Sequence, residues 1–413
     1  MMARRVEKHK IRKSDPHFDL FKHFCHLSKN LYNHGLYLMR QEYRNTGKVL
    51  KYTQLNKILK TDTVYPDYKN MPTAQCAQQT LRVLVSNFKA YQAALRSYHK
   101  NPDKFTGKPK LPGYLRKDGY FNLYLTNQNC RFKNNIIQFP KVFDGFEMVP
   151  FFIQNKNFRT FQQINIKYDQ GCIIIHIVYT TNTPNAKPSN GHVVGINIGV
   201  NNLACVANNF GADAFCINGK PIKSINQYYN KRQADMKSEL MICNHAHKSN
   251  RLNRLSNKRS AKIIDYMHKA SRRIIDWCVE HDVTKVIIGH NNGWKQNINF
   301  GIANSQVEKQ VRQNFTSIPF KTFIDMLCYK ANDRGIAVEM VEESYTSGTS
   351  FIDDEKPDAC YYDKSRRVKR GLFKSNNGLL INADLNAAYQ IIKKEVPMKW
   401  DRGCVLHPVM LTC

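Results

Sequence analysis

Acidic residues are scarce. Only 32 aspartates and glutamates stand against 63 lysines and arginines, a formal net charge of +31. That excess goes beyond what solubility needs and points to a polyanionic partner, nucleic acid first. C-x-x-C pairs are absent, and of the twelve cysteines no two stand closer than Cys404 and Cys413. This scatter argues against a disulfide framework and a four-ligand zinc site, and for a reduced, cytoplasmic protein. No apolar run approaches the ~18 residues of a membrane span. The basic start MMARRVEKHKIRK has no apolar segment behind it, so no secretion signal is expected. What is present is 42% apolar and 11% aromatic residues in 413, enough for real cores in two or three domains. A general RNA-binding protein would share this charge, and that reading stays open.

The first half reads as a recognition region. Leu20, Phe24, Leu27, Leu31 and Leu38 share one face of a helix over 19–42. Ala74, Ala77, Leu81, Leu84, Phe88, Tyr91 and Leu95 make a continuous apolar stripe, with Pro72 and Thr73 at its start. Arg82 and Lys89 lie off that stripe, on a face that is either solvated or laid along a phosphate backbone. Residues 105–125 carry Gly107, Pro109, Pro112 and Gly113, which forbid regular helix. There Lys108, Lys110, Tyr114, Arg116 and Lys117 interleave cations for phosphates with rings for bases. Residues 136–139 and 172–180 read as strands, and the polar, proline-bearing stretch 181–190 as a boundary. The expectation is a recognition region over 1–185, a mixed β-barrel-like wedge with a helical lobe at about 19–100, followed by a second domain over 186–413.

The second half is α/β. A strand and turn over 192–204, a long helical stretch over 222–281, strands at 285–289 and 337–345 and a helix from 382 give the order of an RNase H-like sheet with a long helical insertion. The long helix carries a basic run, Arg251, Arg254, Lys258 and Arg259. Its apolar positions Ile263, Met267, Ala270, Ile274 and Cys278 are helically spaced.

Several stretches carry a specific resemblance: GINIGVNNLA (195–204), DYMHKASRRIIDWC (265–278), IIGHNNGWKQ (287–296), EESYTSGTSF (342–351) and RGLFKSNNGLLINADLNAAYQI (370–391). They resemble the RuvC nuclease domain of TnpB proteins, which insertion sequences encode and which are related to type V CRISPR effectors. LSKNLYNHGLY (27–37) and GKPKLPGY (107–114) extend the resemblance into the first half. It implies an RNA-guided DNA-binding protein. Its partners would be a guide RNA from the transposon end and double-stranded DNA bearing a short adjacent motif. Tyr37, Arg40, Lys108 and Lys110 are assigned to RNA and adjacent-motif contacts on motif position.

The family's chemistry needs three carboxylates around divalent ions such as Mg²⁺. Here the first-motif aspartate is Asn197, neutral and unable to bridge two ions. Gly289 stands where the second motif carries an acid; the resemblance places a relocated acid at Glu343, and Asp384 keeps the third position. The catalytic set is therefore Asn197, Glu343 and Asp384, with Glu343 and Asp384 as metal ligands. The expected consequence is impaired or absent cutting, with binding at the target blocking transcription. The alternative is an active Mg²⁺-dependent endonuclease completed by Asp353 or Asp354 and serving transposon maintenance. Relatives often carry four cysteines between the second and third motifs; this chain has only Cys360 in 345–380, so no zinc is expected and the ribbon reads as degenerate. Arg366, Arg367, Lys369 and Arg370, in a run of five cations among seven residues, are assigned to the nucleic-acid backbone. Asp384 also suits a helix N-cap, Trp294 a capping core position, and His268 a structural role.

Overall fold

The computed structural model describes residues 2–291, 313–369, 371–401 and 403–413. The chain divides into two compact units, Met2–Asn182 and Thr183–Cys413. Arg370, Trp294 and the end of the 287–296 stretch lie outside the described residues.

The first unit begins with a strand, β1 (Met2–Ile11), formed by the basic start of the sequence. It pairs antiparallel, residue for residue, from Met2–Asn182 to Ile11–Ile173. Its inward acid, Glu7, accepts hydrogen bonds from the main-chain nitrogens of Phe151 and Phe152 at 2.9 and 2.8 Å, which is how a carboxylate comes to be buried here. Three helices follow, α1 (Phe18–Thr46), α2 (Tyr52–Thr61) and α3 (Ala74–Lys100). Thr73 caps α3, its hydroxyl accepting from the Cys76 nitrogen at 3.2 Å. Along the α3 stripe Ala77, Leu81, Leu84 and Phe88 are buried, while Tyr91 and Leu95 are only half-buried. The strands are β2 (Leu123–Thr126), β3 (Arg131–Lys133), β4 (Ile136–Gln138), β5 (Glu147–Met148), β6 (Phe158–Asp169) and β7 (Cys172–Asn182). They form two open sheets, β1-β7-β6-β2 and β3-β4-β5; no closed barrel occurs among the described residues. The barrel-like expectation is thus corrected. The physical reason is that α1 covers the larger sheet's face, Phe18, Phe21 and Cys25 entering one core with Ile164, Ile166 and Ile175.

The second unit is built on β8 (Val193–Ile198), β9 (Asn202–Asn208), β10 (Phe215–Asn218), α4 (Lys220–Asn244), α5 (Asn250–Glu280), β11 (Lys285–Gly289), α6 (Phe320–Asn332), β12 (Ala337–Val341), β13 (Leu372–Lys374), β14 (Leu380–Asn382), α7 (Ala383–Glu395) and β15 (Val409–Leu411). The main sheet runs β12-β11-β8-β9-β10-β15. β8, β9 and β10 form an antiparallel meander, while β11 and β12 lie parallel to β8. Ile263, Met267, Ala270, Ile274 and Cys278 of α5 and Phe320, Phe323 and Leu327 of α6 bury one face, against Val194, Ile196 and Ile288. Leu385, Ala388, Ile391 and Ile392 of α7 bury the other, against Val193, Cys205, Ile287 and Val341. This is the RNase H-like architecture. The single helical stretch expected over 222–281 is two helices. His245 takes a left-handed conformation (φ 48°), and Ser249 caps the second helix by accepting from the Leu252 nitrogen at 3.1 Å. Cys205 and Cys216 face each other across β9 and β10, with their sulfurs in contact. An eleven-residue separation carries no such signal; only the antiparallel register brings them together.

Candidate nuclease-type site and basic surfaces

Parallel pairing and one close helix approach create the site. Ile288 pairs with Ile196, so Gly289 and Asn197 end neighbouring strands side by side. β12 continues that edge and leads, two residues beyond Val341, to Glu343. On the same face α7 lies directly on β8. A Cβ on Gly195 would stand 2.4 Å from the Ala388 carbonyl oxygen and 2.6 Å from the Ile392 side chain, so only glycine permits the contact. One helical turn before Ala388 is Asp384. Its carboxylate Oδ2 accepts from the Asn202 amide, at the start of β9, at 2.6 Å. The segments that carry Asn197, Glu343 and Asp384 therefore share the edge formed by the ends of β8, β11 and β12 and the first turn of α7. The cap of that helix is Asn382, whose side chain accepts from the nitrogens of Asp384 and Leu385 at 3.0 and 3.1 Å. Asp384 is thus not the cap; it sits in the first turn, where the helix dipole favours an anion.

Ile391 of α7 fills the place of the missing side chain on β11, 2.5 Å from where a Cβ on Gly289 would stand, with Glu343 beside it. A Cβ on Gly289 would lie 3.4 Å from Glu343 Oε2, so the carboxylate reaches back over the strand end. Its Oε1 accepts from the Asn291 amide at 2.8 Å. The loop behind it is tightly held. The Glu343 carbonyl accepts from Thr346 Oγ1 at 2.8 Å, and Lys394 donates to the carbonyls of Glu342 and Ser344 on either side. Burial lowers the Lys394 pKa, against the acids Glu342, Glu343 and Glu395. Asn386, fully buried on α7, donates to the Thr349 carbonyl at 2.8 Å and accepts from the Phe351 nitrogen at 2.9 Å. Asn202, Asn291 and Asn386 hold the acids and the loop in place, and the sequence reading misses them; the alternation D-L-N at 384–386 is the one local hint.

Two carboxylates and a neutral amide fit one hydrated cation completed by water and substrate oxygens. They lack the bridging carboxylate of a two-ion site. No group of three or more His, Cys, Asp or Glu suited to a metal occurs among the described residues. Asp353 and Asp354 do not complete the set. Asp353 accepts from the Asn376 nitrogen at 2.9 Å and faces Arg366, and Asp354 pairs with Lys393 and Lys399.

The basic candidates divide by what they touch. Arg366 makes a bidentate pair with Glu355, both bonds at 2.8 Å, with little of either side chain exposed. It is a cross-link inside the 350–376 segment, which corrects its assignment to a nucleic-acid backbone; Arg367 and Lys369 beside it are exposed. Arg40 donates to the Pro112 carbonyl at 2.5 Å and stacks 4.7 Å from the Tyr114 ring, strapping the 105–122 loop to α1. Lys29 and Asn33 add bonds to the carbonyls of Lys117 and Leu115. The loop so held presents Lys108, Lys110, Tyr114, Arg116 and Lys117 outward, with Tyr37 exposed on α1. Arg82, over the Tyr52 ring, and Lys89 are exposed on α3. Arg251, Arg254 and Lys258 are exposed on α5, while Arg259 turns in to Asn226 and the Ser317 carbonyl. His268 is exposed on α5.

The fold is RNase H-like, with two carboxylates and an asparagine carried to one edge of its main sheet. Comparison with known proteins narrows this class. Residues 176–295 match the OrfB_IS605 family, described as a probable transposase, and residues 320–391 match the TNB domain of Cas12f1-like proteins. Both matched segments fall almost wholly in the second unit, and together they cover most of its main sheet, α5 and most of α7. A Cas12f1–sgRNA–target DNA complex has the same fold at 16% identity, with a TM-score of 0.54 over 90% of this chain and 82% of that one. The mini-RNA-guided endonuclease CRISPR-Cas_phi3 aligns at 11% identity, with a TM-score of 0.46 over 95% and 92%. No curated protein matches. Among the described residues no helix is long and apolar enough to cross a membrane.

Proposed function

We propose that this chain is an RNA-guided DNA-binding protein that cuts poorly or not at all and acts by occupying its target, blocking transcription there. The observation that carries this is Asn197 at the end of β8, where family chemistry needs an acid. Glu343 and Asp384 are the residues that would hold Mg²⁺; bound there, the ion would supply Lewis-acid stabilisation to a phosphodiester oxygen. Asn197 offers that site only a carbonyl oxygen, so the charge that would clamp a second ion is missing. The guide and its duplex target are supported by the similarity of residues 176–295 to the OrfB_IS605 family and by the nucleic-acid complex of the Cas12f1 neighbour. The outward cations of the 105–122 loop, α3 and α5 supply the phosphate contacts that such partners require.

The test has two parts. RNA co-purifying with the chain expressed from its native locus should be one species, with a fixed scaffold and a variable 3′ segment that names the target. Loaded with that RNA, the chain should bind the matching duplex in Mg²⁺ without cleaving it, and Asn197→Asp should raise cleavage about a hundredfold, equivalent to ~2.7 kcal/mol of barrier. Efficient guided cleavage by the chain itself would overturn the binding-only reading. Heterogeneous RNA would favour non-guided RNA binding.

A further inference from the structure

Between α4 and α5 lies a cleft of about 320 Å³ that the nuclease-type edge does not use. Its walls follow from helical spacing. Ile225, Tyr228 and Tyr229 line it from α4, and Leu255, Lys258 and Lys262 from α5. Tyr228 stands 63% exposed at the mouth, without the cover that a core aromatic finds. Tyr229 is held rigid. The Arg259 guanidinium lies 4.9 Å from its ring centroid and is itself fixed by Asn226 and by the Ser317 carbonyl, while Gln233 bonds the phenol oxygen at 2.6 Å. The interior is thus apolar and aromatic, and exposed Lys258 and Lys262 stand at the rim. Arg251 and Arg254 extend the positive charge along α5.

We propose that this cleft takes an unpaired nucleotide of a single-stranded nucleic-acid segment. The base would stack on Tyr228 against the aliphatic floor of Ile225 and Leu255, and the flanking phosphates would lie on Lys258 and Lys262. The chemistry discriminates. A duplex offers phosphates but keeps its bases stacked away from an aromatic cleft, whereas a splayed base matches both ring and cations. The volume lies at the small end of ligand pockets, the right scale for one base rather than a helix groove. The inference rests on the proposed nucleic-acid function and adds a base-stacking site to it.

The experiment uses the full chain, freed of nucleic acid. Fluorescence anisotropy is read with a labelled 12-nucleotide single-stranded RNA, the DNA of the same sequence, and a DNA carrying abasic sites throughout. Tyr228→Ala should weaken binding of the base-containing strands about tenfold, with the salt dependence unchanged. Tyr228→Phe and Tyr228→Trp should restore it, which a general folding defect would not allow. Lys258→Ala with Lys262→Ala should instead flatten the slope of log affinity against log salt by about 1.4. A preference for RNA or for DNA supports the site either way and tells which strand it serves. Tyr228→Ala binding within twofold of the parent chain, or abasic DNA binding as well as its normal counterpart, overturns the cleft alone. A parent chain that binds none of the probes overturns the functional proposal with it.

Discussion

Two groups of acids in the second unit are held in opposite ways. At the sheet edge, Glu343 and Asp384 each accept from a neutral asparagine amide, that of Asn291 and of Asn202. In the neighbouring segment, Glu355 is matched by the Arg366 guanidinium through two bonds, with Asp353 3.9 Å from the same group. An amide orients a carboxylate and leaves its charge in place; a bidentate guanidinium orients it and cancels the charge. The first arrangement keeps negative charge ready for a cation from solution. The second closes a loop that has no cysteine quartet to close it. The amide-held pair is therefore read as the functional one and the guanidinium-held pair as structural, although composition treats all four acids alike.

The largest effect should come from opening the structural pair. Arg366→Met leaves Glu355 without its cation where little of the side chain is exposed, and such losses cost about 3 kcal/mol or more. Urea unfolding should show this as a lowered midpoint, and a shift of only a few tenths of a kcal/mol would erase the distinction between the two groups. Removing charge at the edge should act the other way. Glu343→Gln and Asp384→Asn keep shape and the asparagine contacts, so stability should stay within about 1 kcal/mol of the parent while Mg²⁺-dependent behaviour is lost. A large destabilisation in either variant would make that acid structural too. Between these extremes stands Asn386→Ala. It strips two main-chain bonds that hold residues 349–351 and should cost about 2 kcal/mol, read in the same unfolding experiment.

How much of this was legible in the sequence follows from the kind of interaction involved. Apolar periodicity along α3 and α5 reports burial directly, and both helices appear where that periodicity puts them. The RNase H-like order was legible because strand and helix patterns alternate in the right sequence. β1 was not, because three of its inward positions are Arg5, Glu7 and His9, and only a partner 144 residues away, Phe151–Phe152, makes an inward glutamate tolerable. The break between α4 and α5 rests on one left-handed histidine, which no periodicity announces. At the site, Asn197, Glu343 and Asp384 came from motif resemblance, and their convergence needed the pairing of β11 with β8. The amides that hold the acids lie 182 and 52 residues away along the chain, so no local pattern links them. Arg366 was misread for the same reason: a run of cations looks like a solvated or phosphate-binding surface until the acid eleven residues upstream folds onto it.

The comparison extends to a cation that makes no ion pair among the described residues, and there the expected effect is smallest. Lys330 on α6 is half-buried and donates to the His268 carbonyl and to Ser271 Oγ, both at 2.7 Å. Burial, with Arg272 adding to it and Asp276 opposing, brings its pKa down from 10.5 to about 8. Lys269, Arg334 and Asp333 share the same groove. The charged ammonium is thus disfavoured in the folded chain relative to the unfolded one. Below pH 8 both states carry the proton and the full penalty is present. Between about 8 and 10.5 the unfolded chain binds more protons than the folded one, so stability should rise with pH through that window. Solvent around the partly exposed ammonium keeps the rise modest. Lys330→Met removes the titration, so the parent's stability should climb relative to the variant's across the window, as read by unfolding at stepped pH. A difference that stays flat would mean that the two hydrogen bonds hold Lys330 charged, and that an unmatched cation, like the amide-held acids, keeps its charge in the fold.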